Sequence, residues 1–340
     1  MQPQTNISLK QHSTMRLGGN AAFLMDITSA SQIGEAVAWA EAKNISVIMI
    51  GSGSNIVWND VGYPGLVLVN KIAGYEVQHQ GEQSFITVGS GEPWDSVVAR
   101  SVLDELSGIE QLSLIPGTTG ATPIQNVGAY GREISDVFVC VQAYDRVEKK
   151  IVVVPKVDCD FAYRTSRFKT TDKGRFFITS VTLALTKNQP MPPYYKSLEQ
   201  YLREHEIKHP TSAQIREAVI QIRSSKLPDP KLVANNGSFF SNPIIDSYQL
   251  AEIQDTYPKI SYWLTDDGRA KISAGWMLEQ LGLKGYHEPN TGMAIWDKQA
   301  LVLVNENAPN TASLLAFRDA IVTAVQDKFG ITLEQEPELI

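Results

Sequence analysis

Apolar side chains recur at helical spacing at Ile33, Val37 and Ala40, and Ser29 stands three residues before Gln32, so a capped amphipathic helix is predicted there. The apolar run at 47–50 is too short for a helix and reads as a strand. Similar runs at 66–69 and 85–88 repeat the strand signal, and Pro93 opens a helix through Trp94, Val97 and Val98. Past residue 195 the character changes, and a charged stretch from Glu199 to His209 leads into a helix. Thr211 with Gln214 caps a segment whose Ile215, Val219 and Ile222 share a face, Gly282 stops a helix over 274–281, and Gly330 stops a long one over 313–329 through Leu314, Phe317, Ile321 and Val325. A buried strand is expected at 300–304. In the tail, Ile331 and Leu333 face one way and Thr332, Glu334 and Glu336 the other, the alternation of a strand returning to a sheet. The pattern as a whole is α+β.

Several of these strands run into glycine-rich loops. The first holds Gly51, Ser52, Gly53, Ser54 and Asn55, and the second Gly89, Ser90 and Gly91. The third runs from Ile115, Pro116, Gly117, Thr118, Thr119, Gly120 and Ala121 to Gln125, Asn126, Val127, Gly128, Ala129, Tyr130 and Gly131. The first loop begins like a dinucleotide fingerprint, but Ile56 stands where a third glycine is needed and no acidic residue follows at the required distance. It also lacks the Gly-Lys-Ser/Thr ending of a phosphate-binding P-loop. Consecutive N–H groups in such a loop form an anion nest suited to a diphosphate. Taken singly, the first loop also reads as a plain turn and the last as a surface Ω-loop.

At 340 residues the chain exceeds what one core serves, so two or three domains are predicted, with a boundary near residue 205. Hydrophobic residues at 43% and charged residues at 20% are ordinary globular usage, which excludes a disordered or fibrous chain. Acidic residues outnumber basic ones 37 to 30 and no basic run exists, which argues against binding a nucleic-acid backbone. Cys140 and Cys159 lack CxxC spacing, and His12, His79, His205, His209 and His287 show neither ligand nor triad spacing, so neither a metal site nor a Ser-His hydrolase is expected. The first ten residues are polar and no apolar stretch reaches the ~20 residues of a membrane span, so secretion and membrane insertion are not expected. A reducing cytoplasm fits the cysteine usage.

The most specific stretch is Asn236, Gly237, Ser238, Phe239 and Phe240, which follows Lys226, Leu227, Pro228, Asp229 and Pro230 and precedes Asn242 and Pro243. A serine between a glycine and two rigid aromatics suits a proton donor held in a shielded pocket, whereas Gly-Ser alone reads as a turn or a helix cap. Taken whole, the segment resembles the catalytic stretch of the UDP-N-acetylenolpyruvoylglucosamine reductases, flavoenzymes of bacterial cell-wall synthesis. The three glycine loops, over roughly residues 13–190, resemble the flavin region of the vanillyl-alcohol-oxidase (PCMH) superfamily to which those reductases belong. The resemblance implies a two-subdomain FAD-binding region, 1–69 with 330–340 and then 70–205, and a C-terminal α+β substrate-binding domain over 206–329. It puts FAD on Gly51, Ser52, Gly53, Ser54, Asn55, Gly117, Thr118, Gly120, Ala121, Gln125, Asn126, Gly128, Ala129, Tyr130 and Gly131. No His or Cys lies in these loops, so the FAD is expected to be dissociable.

The reaction implied has NADPH reduce FAD, hydride pass to C3 of an enolpyruvyl group, and C2 take a proton. Charge then builds on a carboxylate-conjugated enolate, which calls for stabilisers and one positioned acid. The run Phe161, Ala162, Tyr163, Arg164, Thr165, Ser166 matches the family and nominates Arg164 for the carboxylate. Ser238 is nominated as proton donor. Leu333, Glu334, Gln335 and Glu336 match the family's C-terminal segment and nominate Glu336 to stabilise the enol, with Glu334 and Glu338 as neighbouring rivals. Lys226, Asn242, Lys284 and Gln299 match positions that meet the nucleotide-sugar. Tyr262 is a further match, although Trp263 replaces an expected proline. The run 193–198 resembles a lid loop whose tyrosine bonds phosphate, which points to the tyrosine-lid type through Tyr195, with Tyr194 adjacent. A cytoplasmic monomer with no nucleic-acid or membrane partner is expected. Rival readings are another FAD oxidoreductase on the same scaffold and a non-catalytic nucleotide-sugar binding protein.

Overall fold

The computed structural model describes residues 2–340. The chain forms two compact units: one of residues up to Ile7 with Ala21–Ser52 and Pro64–Ser224, the other of Ser8–Asn20, Gly53–Tyr63 and Ser225–Ile340.

In the first unit the helix Ala30–Ala42 begins where Gln32 Oε1 accepts from the backbone N–H groups of Thr28, at 2.7 Å, and Ser29, at 3.3 Å. Its buried Ile33, Ala36, Val37 and Ala40 pack against Met25, Ile27, Leu66 and Leu68 of a four-stranded sheet. That sheet runs in the order Gln4–Ser8, Asn20–Ile27, Tyr63–Asn70, Val47–Ile50, and its last two strands are parallel, with Val47 opposite Leu66 and Ile50 opposite Val69. A five-stranded antiparallel sheet follows, ordered Lys150–Pro155, Phe138–Asp145, Phe176–Thr186, Gln83–Gly89, Tyr75–Gln80. The helix Trp94–Leu103 buries Trp94, Val97 and Val98 in the same core as Ile86, Val88, Val181 and Leu183 of that sheet. Pro93 caps this helix from one position earlier than its first turn. A helical pair, Lys196–Glu204 and Ser212–Lys226, buries Leu198, Leu202, Ile215, Val219 and Ile222 in a separate small cluster flanked by Tyr130 and Tyr194.

The second unit is built on a sheet ordered Ala234–Ser238, Val302–Asn305, Met293–Ile295, His287–Glu288, with a smaller sheet of Ile244–Ile245, Ala270–Ile272 and Tyr262–Leu264. The helix Thr311–Phe329 starts earlier than its apolar stripe because Asn310 Oδ1 accepts from Ser313 N at 3.0 Å. It ends at Gly330, whose φ of +67° is the left-handed cap that favours glycine. Leu314, Phe317, Ile321 and Val325 bury their side chains in one core with Phe239, Phe240, Ile331 and Leu333.

The tail corrects one expectation. Ile331 and Leu333 are buried as the alternation predicts, yet 331–336 makes only an isolated bridge between Gln335 and Phe240. Regular pairing begins after Pro337, which has no N–H to give, where Glu338–Leu339 runs parallel to Ile56–Val57. Among the described residues no helix is long and apolar enough to cross a membrane.

Candidate active site

The glycine loops of the first unit converge. A Cβ on Gly51 would stand 2.2 Å from Thr118 Oγ1, and one on Gly120 would stand 2.6 Å from Ser90 Cβ, so the first loop leans on the third and the third on the second. Thr119 N donates to Glu92 O and Gly120 N to Ser90 O, each at 2.9 Å. Asn70, buried beneath them, donates from Nδ2 to Ser90 Oγ at 2.7 Å and to Ile178 O at 3.0 Å. Glycines that tolerate no Cβ, set among hydroxyls with no His or Cys, make a cradle that fits a dinucleotide diphosphate. The remainder of the first loop belongs to the second unit and is engaged there. Gly53 presses on His12 O and its own carbonyl accepts from Thr14 N, Ser54 O accepts from Asn236 Nδ2, and Asn55 O accepts from Glu338 N.

The 125–131 segment is a tied structure rather than a loose Ω-loop. Gly128–Ala129 pairs with Arg132–Glu133 across a two-residue turn whose central Tyr130 and Gly131 have φ of +51° and +82°. Asn126 secures its base, donating to Glu133 Oε2 at 2.7 Å and to Ala162 O at 3.1 Å while accepting from Ser135 N. Ala162 and Thr165 exchange backbone hydrogen bonds, which puts Tyr163 and Arg164 at the tip of a tight turn. Arg164 Nη2 donates to Gly128 O at 2.7 Å, so the guanidinium is braced on the glycine loop. Arg164 sits at φ +55°, a conformation held by the paired backbone on either side of it.

In the second unit, Gly237 at φ +72° makes a bulge in the strand Ala234–Ser238 and donates to Asn235 Oδ1 at 2.9 Å. Phe239 and Phe240 turn into the core, packed edge to face with centroids 5.4 Å apart. The expectation that these rings shield the Ser238 hydroxyl is therefore corrected: they anchor the backbone from below, and Ser238 is exposed. Its hydroxyl makes no hydrogen bond among the described residues. Glu336 N donates to Phe239 O at 2.9 Å and Ser241 N to Glu334 O at 3.0 Å, so the fold brings Glu336 beside the residue that follows Ser238. Arg164 belongs to the first unit, Ser238 and Glu336 to the second.

The remaining nominees have mixed surroundings. Tyr195 is 42% exposed and meets the edge of Tyr130 at 5.9 Å, while Tyr194 donates its hydroxyl to Pro190 O at 2.7 Å and so acts as an internal staple of the same segment. Burial, and after it the charge of Glu110, pushes the Tyr194 hydroxyl above its ordinary pKa. Lys226 ends the helix Ser212–Lys226 and is exposed. Asn242 Oδ1 accepts from Ala274 N at 3.0 Å, capping the helix Ala274–Gln280. Lys284 pairs with Glu279 at 2.9 Å, Gln299 Oε1 accepts from Leu301 N at 3.4 Å, and Tyr262 lies opposite Ile272 in the small sheet.

Sequence reasoning passed over three polar groups. Asn70 ends a strand without any motif to mark it. Asp95 accepts both Arg216 Nη1 at 2.7 Å and Arg216 Nη2 at 3.0 Å, and takes Leu114 N at 2.6 Å on Oδ1. Burial pushes the Asp95 carboxyl up, but these donors outweigh it and hold the group below its ordinary range. Arg223, on the same helix as Arg216, has an enclosed Nε with no hydrogen-bond partner. Its only sequence signal is a cation next to the apolar stripe at Ile222.

Residues 229–340 match the family model of the UDP-N-acetylenolpyruvoylglucosamine reductase C-terminal domain, and residues 21–150 match an FAD binding domain. The UDP-N-acetylenolpyruvoylglucosamine reductase of Ralstonia nicotianae is 39% identical over 336 residues, 98% of this chain and 97% of that protein. Its counterpart from Dechloromonas aromatica is 38% identical over 341 residues, 99% of each chain. A crystal structure of UDP-N-acetylenolpyruvylglucosamine reductase from Thermus caldophilus shares the fold over 100% of this chain, with a TM-score of 0.67 at 22% identity. That of 6-hydroxy-D-nicotine oxidase from Arthrobacter nicotinovorans covers 92% of this chain with a TM-score of 0.52 at 12% identity.

Proposed function

Because this chain belongs to the UDP-N-acetylenolpyruvoylglucosamine reductase family, we propose that Ser238, Arg164 and Glu336 carry the substrate half of that family's reaction. The enzyme converts UDP-N-acetylglucosamine enolpyruvate to UDP-N-acetylmuramate with NADPH and FAD, in peptidoglycan precursor synthesis. Bound FAD supplies the hydride that adds to C3 of the enolpyruvyl group. The residues of the chain must then manage charge at the substrate carboxylate and a proton at C2.

Ser238 delivers that proton. A serine is a weak acid, but an enolate is a strong base, and a hydroxyl carried on a backbone anchored by Phe239 and Phe240 needs no stronger acidity. Arg164 supplies a fork of donors for the carboxylate, and its brace on Gly128 O limits the freedom lost on binding. Glu336 stabilises the enol and orients its neighbours. The observation that carries the assignment is the backbone bond from Glu336 N to Phe239 O, which fixes a carboxylate residue next to the exposed serine. The FAD diphosphate is assigned to Gly51, Ser52, Thr118 and Gly120, with Tyr130 and Gly131 completing the loop wall. The nucleotide-sugar is assigned to Lys226, Asn242, Tyr262, Lys284 and Gln299. Tyr195 is assigned as the lid tyrosine, since the Tyr194 hydroxyl is already spent on Pro190 O. We assign residues 1–69 with 330–340 and 70–205 to the flavin region and 206–329 to substrate. A monomer working where NADPH is made, in the cytoplasm, completes the reading.

The test is Ser238→Ala. It is expected to bind FAD and accept electrons from NADPH as wild type does, and to reduce the enolpyruvyl substrate ~10²–10⁴-fold more slowly. Anaerobic stopped-flow absorbance separates the two halves, and normal reoxidation by substrate in the variant removes Ser238 from the chemistry.

A further inference from the structure

Asn126 is buried at the base of the 125–131 loop with its backbone at φ +47°, a left-handed conformation that Asn tolerates better than most residues carrying a side chain. Its amide is engaged inside the first unit. Nδ2 donates to Glu133 Oε2 at 2.7 Å and to Ala162 O at 3.1 Å, and Oδ1 accepts from Ser135 N at 3.1 Å. Ala162 O is the same oxygen that takes Thr165 N at 3.2 Å, so one carbonyl both closes the Arg164 turn and ties it to Asn126. A second tie lies just past the turn, where the buried Ser166 donates from Oγ to Ile124 O at 2.7 Å. The tip is held by Arg164 Nη2 on Gly128 O at 2.7 Å, and a Cβ on Gly128 would stand 3.0 Å from Arg164 Nη1, so the guanidinium packs directly on the loop backbone. The turn therefore meets the 124–128 stretch at its root, its base and its tip, and Asn126 holds the base. Arg164 needs that support. Its φ of +55° is unfavourable for so long a side chain, and such a conformation persists only where the surrounding contacts over-determine it.

We propose that Asn126 is a positioning residue for Arg164: its amide hangs the Ala162–Thr165 turn from the 125–131 loop, so that the guanidinium meets the substrate carboxylate already aimed. The inference rests on the reading that Arg164 binds that carboxylate. An amide suits the post because one planar group donates twice and accepts once, which neither a carboxylate nor a hydroxyl can do. Charge points the same way. Asn126→Asp would set a carboxylate against Glu133 Oε2 and Ala162 O with no proton between them, and so push the turn off the loop.

The experiment compares Asn126→Gly, which keeps the left-handed backbone and removes the amide, with Asn126→Asp, Arg164→Ala and the double variant Asn126→Gly/Arg164→Ala. Each is loaded with FAD, and folding and flavin content are checked first. Anaerobic stopped-flow then reads flavin reduction by NADPH and flavin reoxidation by the enolpyruvyl nucleotide as separate rates. Asn126→Gly and Asn126→Asp are expected to slow reoxidation ~10²-fold, the cost of a catalytic group displaced by about an ångström, and to leave reduction within about twofold of wild type. In the Arg164→Ala background Asn126→Gly is expected to add less than about threefold, because the group it aims is already gone. Losses that multiply in the double variant overturn the proposal, since Asn126 would then act independently of Arg164. Equal slowing of both half-reactions also overturns it, as general damage to the loop, and so does wild-type reoxidation in both Asn126 variants. If Arg164→Ala itself reoxidises at the wild-type rate, the reading of Arg164 fails and takes the inference with it, whereas a slow Arg164→Ala beside a normal Asn126→Gly sinks the inference alone. Should Asn126→Gly fail to fold or to hold FAD, Asn126→Asp, alone and with Arg164→Ala, is judged by the same criteria.

Discussion

Gly237→Ala separates backbone strain from bulk at the residue that aims Ser238. A Cβ at position 237 meets no atom within 4 Å, so its cost is conformational rather than steric. At φ +72° an L-residue other than glycine is disfavoured by about 1–2 kcal/mol, and Asn by less because its side chain accommodates the left-handed region. Gly237→Ala is therefore expected to lose about 1–2 kcal/mol in denaturant unfolding, with Gly237→Asn closer to wild type. The alternative response is for the 237–238 peptide to rotate out of the left-handed region, relieving the strain and re-aiming the hydroxyl. In that event stability is nearly kept while turnover of the enolpyruvyl substrate falls and flavin reduction by NADPH does not. Stability and turnover both at wild-type level would refute the reasoning. So would a loss as large as the ~3–5 kcal/mol of a core aromatic truncation, since that requires a packed neighbour.

Gly51→Ala is a contrasting case, because its Cβ would strike Thr118 Oγ1 at 2.2 Å; FAD should be retained less well after gel filtration, with partial recovery in Gly51→Ala/Thr118→Ala. A double-mutant cycle on Asp95 and Arg216, whose side chains are 35% and 15% exposed, should give a coupling of about 1 kcal/mol at neutral pH. The folded-state pKa of Asp95 is depressed, so this coupling is present above the ordinary carboxylate range and is lost as pH falls through the folded value. A coupling that grows on acidification would contradict the assignment.

Elements of the fold were legible wherever a local spacing encodes them. The stripe at Ile33, Val37 and Ala40, the Ser29 cap and the Gly330 stop each depend on neighbours within a turn or two of chain, so sequence alone suffices. Partner choice by polar side chains is different, because it is decided by residues tens or hundreds of positions away. Asn242 is nominated in the sequence as an amide for a nucleotide, and only the packed chain adds that its Oδ1 accepts from Ala274 N at the start of a helix. Lys284 matches a substrate position, and its pairing with Glu279 is likewise visible only in the folded chain. Gly51 and Gly53 look equivalent in the first loop, but one presses on Thr118 and the other on His12 O, each in its own unit. The buried Nε of Arg223 has no counterpart in the sequence, since enclosure is a property of the packed state.

The three carboxylates near the chain end can be separated by what their backbones do. Glu334 and Glu336 share a face by strand alternation, which leaves the sequence unable to choose between them. Glu334 is exposed and gives its carbonyl to Ser241 N at 3.0 Å, three residues past the serine. Glu338 is committed to the parallel pairing with Ile56 and donates its N–H to Asn55 O. Glu336 alone donates to Phe239 O, and its carbonyl also takes Asn55 Nδ2 at 3.4 Å, so its backbone is held from both sides. A carboxylate that stabilises a developing enol has to be fixed before the charge appears, because reorganisation during the step would consume the benefit. Glu336→Gln is accordingly expected to lower kcat ~10²–10³-fold with KM changed far less, while Glu334→Gln and Glu338→Gln stay within about threefold of wild type. The measurement is steady-state reduction of the enolpyruvyl nucleotide at saturating NADPH, and a deeper loss in Glu334→Gln than in Glu336→Gln would transfer the role to the neighbouring carboxylate.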